Sequence, residues 1–292
     1  MSAVITVPES LDESAFESVI DQVAAQPADA RLIVDARHTA FGTPYGITAL
    51  LCLGQSRAVR PTLMVPEKET TVGYWARAGV FAHAEALFEL SGRVPAGRTG
   101  ASSDVWLPCT AIAGSEDVHK VVSSIQERSE AILGQELNAD PRMIGRFAMT
   151  LSEACQNIVE HAGRGGWVMV QTYSWRRIGR RVVQIAVCDA GIGFAASLAP
   201  SQARRFGDRW SDARALESSV VQGQSRFPDP GRGQGFAGIR RFLSPWEGKL
   251  SVRSGTARIA IVPAWDDDVP MQEGLSSFPG AQVSIIIPGK AI

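Results

Sequence analysis

No run of the sequence approaches the roughly 18 consecutive apolar residues that a membrane-spanning helix needs. The first residues lack a basic stretch followed by an apolar core, so nothing there reads as a secretory leader and a cytoplasmic soluble protein is expected. Cysteine is scarce and scattered. Cys52, Cys109, Cys155 and Cys188 form no C-x-x-C pair and have no histidine at ligand spacing. That argues against a zinc site or a disulfide framework and suits a reducing compartment. Each cysteine reads as a small buried apolar residue. Excess charge is missing too: 29 basic against 30 acidic residues leave a net charge of −1. No overall field therefore draws the chain to nucleic acid or to an anionic membrane. The one locally basic cluster, Arg176, Arg177, Arg180 and Arg181, falls between two strand-like runs and reads as a solvated hairpin tip. Internal repeats and low-complexity tracts are absent as well.

What is present suits two ordinary domains: 292 residues, 45% of them hydrophobic and 20% charged. In residues 1–90, strand-like runs at 4–7, 31–36 and 62–65 alternate with helical ones at 11–25, 46–56, 70–78 and 82–90. This alternation predicts a small α/β domain. Residues 91–104 are rich in Gly, Ser and Pro and read as a linker. Residues 105–292 then carry a strand at 105–112, an amphipathic helix at 116–133, and a second helix behind Asp140-Pro141. A hairpin follows at 167–175 and 181–189, then a long irregular stretch, then strands at 249–253, 258–262 and 282–287. Such a segment predicts a sheet with helices able to cover only one face.

The second helix carries Glu153, Asn157 and His161 four residues apart, a spacing that puts a carboxylate, an amide and an imidazole on one face. On a helical wheel Phe147, Ala148, Cys155, Ile158 and Ala162 fall within about 60° of Leu151, while the polar set falls between about 180° and 280°. By itself this pattern equally describes an amphipathic helix with a solvated side. Two glycine boxes follow. Asp189-Ala-Gly191-Ile-Gly193 ends a strand, where a carboxylate beside two glycines suits close approach by a flat ligand, and equally a simple turn. Gly231-Arg-Gly233-Gln-Gly235 leads into a short helix, an arrangement that exposes backbone N–H groups to a phosphate. Gly233-Gln-Gly235-Phe-Ala-Gly238 formally matches G-x-G-x-x-G. However, residues 222–230 upstream include two prolines and cannot be the strand a dinucleotide fold requires.

The order of these elements resembles the GHKL superfamily of ATP-binding domains, which includes gyrase B, Hsp90, histidine kinases, MutL and anti-sigma-factor serine kinases. The resemblance spans about residues 116–288 and includes the closing strand motif Pro279-Gly280-Ala281. It implies a Bergerat-type α/β sandwich, with a mostly antiparallel sheet and helices on one face. It also implies ATP and Mg²⁺ as ligands. By the same resemblance Glu153 is the general base, Asn157 the magnesium ligand and Asp189 the reader of adenine. Gly191 and Gly193 would line the base, and Gly231, Gly233 and Gly235 the phosphates. Ala281 stands where the family usually has threonine, so one neutral hydrogen bond, about 0.5–1.5 kcal/mol, is expected to be missing from the base site.

Residues 1–90 resemble a STAS domain through the segment at 32–51. Pro44 falls at the usual phosphoserine position, leaving Thr43 as a substitute acceptor or a loop residue. The combination implies a cytoplasmic signalling protein with a regulatory protein partner, and leaves a homodimer open. It acts either as an anti-sigma-style serine/threonine kinase or as an ATP-dependent conformational switch. A histidine kinase is disfavoured, since no phosphoacceptor helix precedes the ATP segment.

Overall fold

The computed structural model describes residues 2–95, 105–129, 141–223 and 235–291. Among these, no helix is long and apolar enough to cross a membrane.

The N-terminal part is built on a parallel sheet, β1 (Ser2–Thr6), β3 (Arg31–Asp35), β5 (Thr62–Met64) and β6 (Glu89–Ser91), in that order. A two-residue ladder joins β2 (Ser10–Leu11) to β4 (Phe41–Gly42). Because Ser10 and Leu11 are committed to that ladder, helix α1 (Glu13–Ala24) starts two residues later than the helical run at 11–25 suggests. Asp12 caps it by accepting from the Ala15 N–H. The apolar stripe Phe16, Val19 and Ile20 faces the core. Helices α3 (Glu69–Arg77) and α4 (Val80–Leu87) follow β5. The chain then leaves the helix at Phe88, because the Glu89 N–H is taken by the Pro61 carbonyl, and 89–91 become an edge strand rather than more helix.

Helix α2 (Pro44–Ser56) is the pivot of the fold. Thr43 caps it and every residue from 44 to 54 is buried. A helix apolar all round must be covered all round. One side of α2 packs within the N-terminal part and the other lies on a seven-stranded sheet. That sheet runs β12 (Met271–Gln272), β11 (Ala257–Ile261), β10 (Lys249–Gly255), β13 (Phe278–Ala291), β9 (Arg180–Asp189), β8 (Gly166–Trp175), β7 (Val105–Ile112), and every pairing in it is antiparallel. Helices α5 (Ser115–Ser129), α6 (Pro141–Asn157), α7 (Gly193–Phe206), α8 (Asp212–Leu216) and α9 (Gly235–Leu243) belong to its other face. The helices of this segment do lie on one face, and the second face is closed by α2. The apolar cluster there runs without a break from Phe16, Tyr45 and Cys52 to Cys109, Trp167, Met169, Cys188 and Phe278. All four cysteines are free and buried.

Two expectations need correction. The stretch after Asp189 is not irregular: it holds α7 and α8, whose pattern is obscured by Pro200 inside α7 and by Gly207 at its end. Nor do Glu153, Asn157 and His161 share one helix. Helix α6 stops at Asn157 and continues as a π turn, Ile158–Ala162, which breaks the four-residue register before His161. The placement of the His161 side chain, the Asp140 cap and the glycines Gly231 and Gly233 lie outside the described residues.

Candidate nucleotide site

Strand β9 carries the chain to Asp189 on the helical side of the sheet. Alternation along the strand puts Val187 and Asp189 on that side and Cys188 against α2. Gly191 then turns the chain beneath the π turn, where the Ile192 N–H donates to the Ala162 carbonyl at 3.0 Å. A Cβ on Gly191 would collide with that same Ala162 backbone. Gly193 opens α7, and Gly280 on β13 presses against Asp189 with φ +80°. A side chain on Gly280 would meet both the Asp189 carbonyl and its carboxylate. Gly280→Ala is therefore expected to cost at least about 1–2 kcal/mol from the left-handed backbone alone. It should also distort the carboxylate, seen together as a lower melting temperature and lost nucleotide affinity; unchanged values for both would contradict this placement.

These elements line a narrow cleft with a cavity volume of about 20 Å³. Its walls are apolar: Ala154 and Ile158 from the end of α6 and the π turn, Val187 and Val283 from the sheet, and the rings of Phe194 and Phe236, 5.8 Å apart. Asp189 is the buried charge within it. Its Oδ1 accepts from the Gly191 N–H at 2.8 Å, and the Ala281 N–H also serves the carboxylate. Burial dominates, and the Asp189 pKa is pushed up to about 6 despite these two donors.

Asn157 lines the same pocket, and its carboxamide nitrogen is buried with no partner among the described residues. An amide left so in a native protein calls for a ligand or water. Glu153, one turn earlier on α6, is exposed to solvent. Helix α9 packs along α6, with Phe242 edge-on to Phe147 at 6.4 Å, and this brings its first residue to Glu153. A Cβ on Gly235 would lie 3.0 Å from Glu153 Oε2. The structure thus brings Asn157, Asp189 and Gly193 together at the pocket, with Gly191 beneath it and Glu153 and Gly235 paired at its side.

Residues 144–288 match the family model described as histidine kinase-, DNA gyrase B-, and HSP90-like ATPase. This segment is a GHKL-type ATPase domain. None of the curated proteins matches the chain. The GHKL segment starts inside α6 and ends in β13, so it takes in the whole pocket and leaves out the part that covers the back of the sheet.

Two contributors to the site carried no sequence signal. The Ser254 hydroxyl donates to the Gly280 carbonyl at 2.8 Å and accepts from the Phe194 N–H at 3.1 Å, tying β13 to the start of α7. The Gln282 carboxamide donates to the Asp189 carbonyl at 3.0 Å from the opposite face of the sheet. Neither belongs to a spaced motif; only the strand register reveals them.

Proposed function

We propose that the GHKL segment binds Mg-ATP in this pocket and that the protein is a signalling ATPase or kinase acting on a separate protein partner. The observation that carries the proposal is a buried carboxylate fixed by two backbone N–H groups within an apolar pocket, beside an unpartnered amide. Asp189 is suited to accept from the amino group of adenine, and the Phe194 and Phe236 rings with their aliphatic neighbours suit a flat base. The Asn157 carbonyl oxygen would serve Mg²⁺ as a hard donor, which leaves the unpartnered nitrogen to donate to the nucleotide or to water. Among the described residues no three His, Cys, Asp or Glu converge on a metal position. The ion would therefore be held by Asn157 and the nucleotide phosphates, and when bound it neutralises phosphate charge. Glu153, solvated and beside the first residue of α9, is suited to orient an attacking hydroxyl or water.

The STAS-like reading of residues 1–90 rests on the segment at 32–51 and on the alternation of strands and helices there. Thr43 does not suit a phosphoacceptor: its hydroxyl is buried, donates to the Leu11 carbonyl at 3.3 Å and accepts from the Gly46 N–H at 3.2 Å. Thr43 is therefore not the acceptor of a kinase reaction. A pure switch is the second reading, favoured by the seating of α2 directly behind the strand that carries Asp189.

Glu153→Gln separates binding from turnover. ATP affinity should stay within a few-fold of wild type, while turnover of γ-labelled ATP falls by roughly 10²–10⁴. Label moving to a co-purified protein supports the kinase, and slow phosphate release alone supports the switch. Turnover undiminished in the variant would remove Glu153 from the reaction.

A further inference from the structure

We propose that Gln282 is a positioning residue of the nucleotide site, acting from the far side of the sheet to hold the main chain of Asp189. The proposal rests on the assignment of the pocket to a nucleotide. Ala281 and Val283 line the pocket, so alternation turns Gln282 to the opposite face, where it is wholly buried. From there its Nε2 donates to the Asp189 carbonyl at 3.0 Å and to the Pro279 carbonyl at 2.9 Å. One amide group thus ties the end of β9 to the turn before Gly280, the two backbone segments that meet at the Asp189 carboxylate.

The arrangement has a visible cost. Gln282 Oε1 is buried without a partner among the described residues. A position needed only for packing would be better served by methionine or leucine, which leave nothing unsatisfied. A polar side chain kept in a core with one atom unpaired marks a local conflict of the kind found at functional sites.

The neighbours of Gln282 show what keeps water from it. On β10 it faces Arg253, and on β9 it faces Cys188. Arg253 is held by Glu17 of α1, and the Cys188 sulfur accepts from the Thr48 hydroxyl of α2 at 3.1 Å. Both flanking residues are therefore tied to the N-terminal part. Uncovered, the Gln282 amide would exchange its carbonyl partners for water; covered, it has none but these two. The N-terminal part is in this sense a wall of the nucleotide site, one strand thickness away from it.

Gln282→Met keeps the volume and removes both donors. Ser284→Ala is the control, since Ser284 is buried two residues on, pairs with Ala186 on β9 and accepts from the Gln184 amide at 2.9 Å. In nucleotide-free Gln282→Met, amide exchange at residues 189–193 should rise about tenfold or more, and affinity for a non-hydrolysable ATP analogue should fall about tenfold. Ser284→Ala should leave both unchanged at a comparable loss of melting temperature. Wild-type protein supplies a check independent of any variant: the Gln282 side-chain amide protons should exchange slowly. Fast exchange of those protons, or equal effects in the two variants, would overturn the proposal. Protection at 189–193 that is lost in Gln282→Met, with no analogue binding even in wild type, would uphold the clamp and reject the nucleotide assignment instead.

Discussion

Asp189→Asn is expected to weaken nucleotide affinity about ten- to a hundredfold and at the same time to stabilise the nucleotide-free protein. The carboxylate accepts from the Gly191 and Ala281 N–H groups and is suited to accept from the adenine amine. An amide in its place is a weaker acceptor and turns a donor toward one of those partners. Charge-assisted hydrogen bonds contribute about 1.5–3 kcal/mol, so the loss should be at least roughly tenfold and up to about a hundredfold in Kd. Stability moves the other way because the buried carboxylate is poorly solvated. With a pKa raised from 3.8 to about 6, the folded state holds the Asp189 proton more tightly than the unfolded state. Its contribution is fully present below 3.8 and is lost as pH rises through about 6, leaving a desolvated charge at neutral pH. The variant should melt higher than wild type near neutral pH, and the gap should close in acid. Wild-type affinity should itself weaken about tenfold between pH 7 and pH 5, as the carboxylate protonates around its pKa of about 6. A variant that binds like wild type, or affinity that is flat with pH, would remove Asp189 from the site.

The second large effect concerns the joint between the two parts. Arg253 has no exposure, and Glu17 of α1 receives it through Nε at 2.7 Å and Nη2 at 3.2 Å. The guanidinium also donates to the carbonyls of Gly255 and Ser276 and lies over the Phe278 ring. Glu17→Ala leaves that charge buried without its counter-ion, a change that costs about 3–5 kcal/mol in comparable cases. Denaturant unfolding should show a loss of that size, and Glu17→Leu combined with Arg253→Met should recover most of it, since an apolar pair of similar volume carries no desolvation cost. A loss below about 1 kcal/mol, typical of an exposed pair, would mean the N-terminal part is only loosely attached. Glu13 belongs to the same joint. It pairs with Arg258 and Ser251, and burial raises its carboxyl above the ordinary range despite those partners.

The strands of the GHKL segment were legible because β8 and β9 are buried on both faces and so read as nearly continuous apolar runs. Asp189 and its glycines stood out only through their order among the other boxes, since a carboxylate and two glycines at a strand end describe a simple turn equally well. Helix α2 was recognisable as apolar, but nothing in a single sequence says which two surfaces enclose it. Its seat on the large sheet depends on contacts between residues more than a hundred positions apart, such as Thr48 with Cys188. The π turn after Asn157 was invisible too, since it changes the helical register without a glycine or proline to announce it. Ser254 and Gln282 were missed because their partners are main-chain atoms, which no residue spacing records.

Titration of the wild-type protein and of Asp189→Asn with a non-hydrolysable ATP analogue, with and without Mg²⁺, tests the central claim most directly. The geometry predicts one analogue per chain, bound more tightly with Mg²⁺ by wild type and at least about tenfold more weakly by the variant. No binding by wild type, or the same affinity in the variant, would contradict it.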